Sequence, residues 1–399
     1  MTDRLLLRAR VRARGLRRAL APALFVLGGF AVLALVPACG GPNRGDAYMQ
    51  SLAEARRDHH DGRFDLAAVK FDEAAKTAKL PRDAVYARYE AALARARAGD
   101  VARAATELRA IATAKPASAY AAQAAFKAAE LARQNDEAAG LRELDAVITD
   151  FPETGVAQVA LGLVLKHDDE TSPEAAVTHL DAIAPRVKGA RVEEKVLYER
   201  AKRLDALGRT QASRDAFVDV AAKFPYPFGG LHDDALYRAS EMEEKLGHPQ
   251  EAIALLEKLL AERETSSFMG SYERPRYLPA ILRIAQIYEN QLNDRAKARA
   301  TLHRLYAEFT TSTMRDDALW REAELWRKDG DAKTACSRLE TLTDDFPDSR
   351  YVPCASLRCP SIKRAAKSKA PVTCHEYLLR ETGNPKPEAD PGRATRRPD

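Results

Sequence analysis

The feature that most limits how this chain can fold is a spacing that occurs eight times. Each copy begins at a turn residue: Gly62, Gly99, Asn135, Thr171, Gly208, Gly247, Asn293 and Gly330. Successive copies lie 37, 36, 36, 37, 39, 46 and 37 residues apart. Five places after each turn stands a small residue: Ala67, Ala104, Gly140, Ala176, Ser213, Ala252, Ala298 and Ala335. Four further on comes a large apolar one: Phe71, Leu108, Leu144, Leu180, Phe217, Leu256, Leu302 and Leu339. Three beyond that come Ala74, Ile111, Val147, Ile183, Val220, Leu259, Leu305 and Leu342. Spacings of four and three fall on one helix face. Glycine suits the turn before that helix, and Pro116, Pro152, Pro225 and Pro347 end four of the copies. Each unit therefore holds two helices. The small residue lets them approach, and the large ones fill the seam with the next pair. The expected fold is all-α, a solenoid of about eight helix-turn-helix repeats over residues 47–347. A continuous coiled coil is excluded, because turns interrupt the pattern every ~15 residues.

The unit resembles the tetratricopeptide repeat, about 34 residues long, and the resemblance implies a right-handed superhelix. That family's large residue early in the first helix is found here as Leu197, Leu236, Leu282 and Leu319, but as Arg88 in the second copy. HEAT-type repeats are the alternative. The longest step contains an insertion, residues 264–275, either a longer rim turn or a binding loop. In tetratricopeptide repeats the first helices line a concave groove. Carried over to this chain, the fifth position of each unit is Leu52, Tyr89, Ala125, Leu161, Tyr198, Tyr237, Arg283 and Trp320. Tyr89, Tyr198, Tyr237 and Trp320 become candidate partner anchors, with Lys202, Glu241 and Glu324 as charged specificity residues. The same rings could instead pack between neighbouring helices, and the spacing leaves both readings open.

The N-terminal segment points to export. Residues 1–38 carry seven arginines and one aspartate, and residues 19–36 form an uncharged apolar run. The net charge of +5 therefore leaves about −1 beyond residue 38, which gives no support to nucleic-acid binding. Val36-Pro37-Ala38-Cys39 resembles the lipobox of bacterial lipoproteins. That resemblance implies a signal peptide over 1–38, cleavage before Cys39, lipidation of Cys39 and a short tether over 39–46. Gly40, in place of the aspartate that retains such proteins in the inner membrane, implies the periplasmic side of the outer membrane. An uncleaved membrane anchor and an ordinary cleaved signal are the alternatives.

The near-copies Asp-Asp-Ala-Leu-Tyr at 233–237 and Asp-Asp-Ala-Leu-Trp at 316–320 place aspartates at helix starts, where they are expected to cap free N–H groups. The first follows Phe224-Pro225. This phrase resembles periplasmic repeat lipoproteins of the barrel-assembly (BamD-like) and Tol–Pal-associated (CpoB-like) kind. It implies a scaffold role in cell-envelope organisation. After Pro347 the repeat gives way to a cysteine-bearing cap over 348–380 and a Pro/Gly-rich tail over 381–399, expected to be disordered. Cys336, Cys354, Cys359 and Cys374 are even in number, which in an exported chain favours two disulfides. Counting back from the Phe346-Pro347 turn along antiparallel helices pairs Cys336 with Cys354, leaving Cys359 with Cys374. Free thiols, or a zinc site that also uses His375, are the alternatives.

No phosphate-binding loop, nucleophile elbow, zinc-protease motif or dinucleotide fingerprint occurs. The expectation is a binding protein with no cofactor, no metal and no small-molecule substrate. Its partner would be a protein or peptide, and its membrane contact the lipid at Cys39. An adaptor or glycan binder of envelope polysaccharide machinery is the second reading, and an enzyme the third.

Overall fold

The computed structural model describes residues 43–262 and 274–379. The expected signal segment, Cys39, positions 264–273 of the insertion and the tail after Leu379 lie outside them. The described residues form eighteen α-helices and one 3-10 turn, Ala184–Val187, with no strand among them. Sixteen helices make eight pairs: α1 (Asp46–His60) with α2 (Phe64–Thr77), α3 (Pro81–Arg97) with α4 (Val101–Thr113), α5 (Ala121–Asn135) with α6 (Glu137–Asp150), α7 (Gly155–Thr171) with α8 (Pro173–Ile183), α9 (Glu193–Ala206) with α10 (Thr210–Lys223), α11 (His232–Lys245) with α12 (Pro249–Ala261), α13 (Tyr277–Asn290) with α14 (Arg295–Glu308), and α15 (Arg315–Lys328) with α16 (Ala332–Asp345). The short α17 (Val352–Arg358) and α18 (Glu376–Leu379) follow. Two compact units, Met1–Ala91 and Ala92–Asp399, divide the chain inside α3. In the first, α1 packs on α2. In the second, each helix from α4 to α16 packs on its successor, giving an all-α solenoid of stacked pairs.

The local chemistry sets this register. The second helix of every pair begins two residues after the turn residue. Gly62, Gly99, Gly208, Gly247 and Gly330 have φ between 70° and 97°, and Asn293 has 51°. This left-handed region suits glycine and, less often, asparagine. Asn135 and Thr171 are instead the last residues of α5 and α7. There the next residue, Asp136 or Ser172, turns the chain with extended backbone. The residue after the turn caps the new helix at Asp100, Asp136, Ser172, Asp294 and Asp331. Each side chain accepts from the backbone N–H three residues on at 2.9–3.4 Å, satisfying a donor that the helix leaves free.

All 24 template positions are buried, so the sequence spacing is the packing code. Gly140 shows how close the helices come: a Cβ there would lie 2.4 Å from Cβ of Arg133 on α5. The Ser213 hydroxyl donates to the carbonyl of Ala201 at 2.9 Å, which satisfies the one polar side chain in the small-residue row.

The cap is held by two disulfides, Cys336–Cys359 and Cys354–Cys374. With all four sulfurs bonded, none is available as a thiolate for zinc. The connectivity corrects the expected Cys336–Cys354 and Cys359–Cys374 pairing. Residues 346–351 turn without helical rise, so α17 starts only at Val352. At 1.5 Å per residue, Cys336 lies roughly 13 Å back from the end of α16. Cys354 has travelled only ~3 Å along α17, while Cys359 has come ~10 Å and is nearly level with Cys336.

Candidate partner-binding cleft

The first helices of consecutive pairs carry the aromatic residues expected to face a partner. Tyr198 on α9 is only 5% exposed. Its ring lies edge-on to Phe217 at 5.4 Å, and its hydroxyl donates to Asp234 at the start of α11. Tyr237 on α11 is half-buried beneath the guanidinium of Arg276, 4.8 Å from the ring centroid, and Arg276 also pairs with Asp234. Trp320 on α15 is 5% exposed and stacks on Tyr351 at 5.0 Å and 16°. Tyr89 is half-buried on α3. Burial thus assigns Tyr198 and Trp320 to the seams between pairs and leaves them little surface for a partner.

The same contacts correct the role expected for the paired aspartates. Neither α11 nor α15 has a side-chain cap from them. Asp234 instead takes Tyr198 from the preceding pair and Arg276 from the following one. Asp317 accepts from the Tyr351 hydroxyl and pairs with Arg350, both at 2.6 Å, and Asp316 accepts from Ser349 at 2.6 Å. Glu194 of α9 accepts from the N–H groups of Gly230 and Leu231 at 3.2 and 2.7 Å, so α11 is capped from the preceding pair.

Charged side chains lie one turn beyond the rings. Lys202 is exposed, 3.2 Å from Glu199 and 5.9 Å from the Tyr198 ring centroid. Glu241 pairs with Arg238 at 3.1 Å. Glu324 pairs with Arg327 at 2.9 Å and Arg358 at 3.1 Å.

Two clefts open along this row. One, about 440 Å³, lies between α7 and α9 and is lined by Leu161, Leu165, Asp169, Lys195, Glu199 and Arg203. Four of its six charged side chains are matched: Arg203 reaches Asp169 at 2.6 Å and Glu199 at 2.7 Å, and Lys195 reaches Glu199 at 2.8 Å. Burial pushes the Glu199 carboxyl up, but the hydrogen bond from Lys195, the charges of Lys202 and Lys195 and the hydrogen bond from Arg203 outweigh it and hold it at about 2.

The second cleft, about 360 Å³, is walled by α13, α15, the start of α17 and α18. Leu282 and Gln286 form one side, Trp320, Arg321 and Glu324 the floor, and Tyr351, Tyr377 and Leu378 the far lip. It brings Trp320 and Glu324 together and excludes the other expected anchors. Most of its charges are paired: Asp317 with Arg350, Glu289 with Lys328 at 3.0 Å, and Glu324 with Arg358. Arg321 is the exception. Its nearest carboxylate oxygen, on Glu289, is 4.0 Å away, and burial draws its pKa below the usual arginine value. It remains a cation. The lip is held by Cys354–Cys374 and by Arg358, which donates to the carbonyl of Leu379 at 3.3 Å. Sequence reasoning missed Arg321, Tyr351 and Tyr377. Tyr351 carried a signal, since it follows Phe346-Pro347 where another first helix would start. Tyr377 carried none, because contacts distant in sequence, the Cys354–Cys374 disulfide among them, bring it to the cleft.

Among the described residues, no group of three or more His, Cys, Asp or Glu side chains is placed to hold a metal ion. No helix there is long and apolar enough to cross a membrane.

Residues 234–266, 279–312 and 317–349 match the tetratricopeptide-repeat family model. Each match covers one helix pair, α11 with α12, α13 with α14, and α15 with α16. No curated protein matches the chain. Solved structures similar to it include a tetratricopeptide repeat protein from Parabacteroides merdae, at 12% identity over 75% of this chain and 93% of that one, TM-score 0.25. The P58(IPK) TPR domain is similar at 15% identity over 78% and 87%, TM-score 0.24. Naa15/Naa10 bound to HypK-THB is similar at 14% identity over 78% and 55%, TM-score 0.27. The matched segments, α11 to α16, are thus similar to tetratricopeptide repeats.

Proposed function

We propose that this chain is a non-catalytic scaffold that holds a protein or peptide partner against the row of first helices, in the concave groove such repeats form. It would be tethered by lipid at Cys39 on the periplasmic side of the outer membrane and serve cell-envelope assembly or organisation. One observation supports the binding role most directly: the cleft at the C-terminal end of the row, where stacked aromatic and apolar side chains surround an arginine without a close carboxylate. Recognition surfaces combine large, rigid contact area with a few polar groups in this way. Two disulfides within residues 336–374 fit an oxidising compartment, which supports the exported location. The test is crosslinking of the full chain in intact cells followed by mass identification. Recovery of a discrete envelope protein is expected. Recovery of polysaccharide alone, or of nothing above a control, would overturn the proposal.

A further inference from the structure

The cleft at the C-terminal end favours one kind of occupant. Arg321 presents five N–H donors on a rigid fork. Among the described residues it has one ion pair, at the 4.0 Å limit, and the carboxylate concerned already takes Lys328 at 3.0 Å. The Arg321 side chain is 27% exposed, so these donors are open to a ligand arriving from solvent. The surroundings do not cancel that charge. The carboxylates of Asp317, Glu289 and Glu324 are neutralised by Arg350, Lys328 and Arg358, so the charge of Arg321 is left over. Beside it the wall is apolar: Leu282, Trp320, Tyr351 and Leu378. Tyr377, 55% exposed, stands at the rim.

This lip does not belong to a repeat. Tyr377 and Leu378 lie at the end of a 20-residue excursion that Cys354–Cys374 closes. Lys369 N–H donates to Asp348 at 2.6 Å, and Ser368 donates to the carbonyl of Pro347, docking the middle of that excursion on the turn after α16. Without the disulfide, α18 would keep Arg358's hydrogen bond to Leu379 but lose its covalent attachment to α17.

We infer that the disulfide-closed cap completes a binding cleft for an extended acidic segment of a partner protein, taking a side-chain carboxylate on Arg321 and an adjacent large apolar side chain against Leu282 and the exposed ring of Tyr377. This rests on the scaffold reading and names the partner's chemistry. Arg321 and the carboxylate would form a bidentate pair, the geometry that the planar guanidinium fork favours. The Cys354–Cys374 bond acts as a positioning element, since it fixes the lip and touches nothing bound.

The test uses the oxidised full chain and a peptide array in which every member exists in Glu/Asp and Gln/Asn versions. Bound members should carry a carboxylate next to a large apolar residue, and their amide twins should bind about tenfold or more weakly. Arg321→Gln should abolish that preference, and Arg321→Lys should recover part of it. Tyr377→Ala, at an exposed position, should weaken binding without lowering the melting temperature. Cys354→Ser with Cys374→Ser should weaken binding while helicity is retained. No binding, equal binding of acid and amide versions, or indifference to Arg321→Gln would each overturn the inference. So would an intrachain crosslink from the cleft to residues 380–399, which would make this chain's own tail the occupant. If a partner is captured in cells but every cleft variant captures it equally, the scaffold reading stands and this inference falls. If no partner is captured, the scaffold reading itself falls.

Discussion

Replacing Cys354 and Cys374 by serine should loosen one part of the molecule and leave the rest alone. The bond closes a loop of 20 residues. In the chain-entropy model such a closure contributes about 3 kcal/mol at 25 °C. In a solenoid, stability is carried by each repeat and its nearest neighbours. The loss should therefore stay within residues 359–379, whose remaining ties to the rest of the chain would include Cys336–Cys359, the Lys369–Asp348 and Ser368–Pro347 bonds and the Arg358–Leu379 bond. Three kcal/mol corresponds to on the order of a hundredfold in the opening equilibrium. Hydrogen exchange read by mass spectrometry resolves this directly. Amides in 363–379 should lose protection by up to that factor, while α9 to α12 exchange as in the parent. Unchanged protection in 363–379 would refute the claim that this bond holds the lip. Lost protection spreading to α9 would refute the nearest-neighbour reasoning.

Other consequences follow from single contacts. Gly140→Ala forces a methyl to within 2.4 Å of Arg133 and should cost about 1–3 kcal/mol by overpacking, seen as a lower melting temperature with unchanged helicity. His179 lies between Asp168 at 2.7 Å and Asp145 at 3.2 Å, joining α6, α7 and α8. The hydrogen bond to Asp145, then burial working against it, then Asp168, together raise its pKa to about 9. Its unfolded value is near 6.5, so its contribution is fully present below pH ~6.5 and is lost as pH rises through about 9. His179→Gln should cost ~1–2 kcal/mol at pH 6 after allowance for screening, a gap that closes above pH ~9.5 in paired denaturant titrations. Tyr198→Ala should cost about 3–5 kcal/mol as a core truncation, whereas Tyr198→Phe should cost only about 1 kcal/mol for the lost bond to Asp234. A ring serving only as a surface anchor would leave both variants as stable as the parent. Cys39→Ala should move the protein from the membrane to the soluble fraction, and retention on the membrane would reject the lipid anchor.

The periodic part of this molecule was readable because its code is local. A turn residue, a cap and a stripe at spacings of four and three each act within one helix, and every stripe position is buried. Contacts that reach from one pair to the next were not readable. The fifth-position rings had equal claims to a groove and to a seam. Distinguishing them required knowing that Asp234 of the following pair would meet Tyr198 and that Tyr351 of the cap would meet Trp320. The disulfide pairing failed for a similar reason: a turn of six residues adds sequence without helical rise, and that shifts Cys359, not Cys354, level with Cys336. The cleft was least visible of all, because Arg321 reads as one more charge on a charged helix and Tyr377 lies in a segment without period.

The central claim is that a partner lies in the C-terminal cleft. It is tested most directly by placing a photoreactive amino acid at Gln286, inside the cleft, and separately at Glu340, exposed on α16. After illumination of intact cells, a discrete crosslinked protein is predicted from Gln286 and not from Glu340. The same products from both positions, or none from Gln286, would contradict the account.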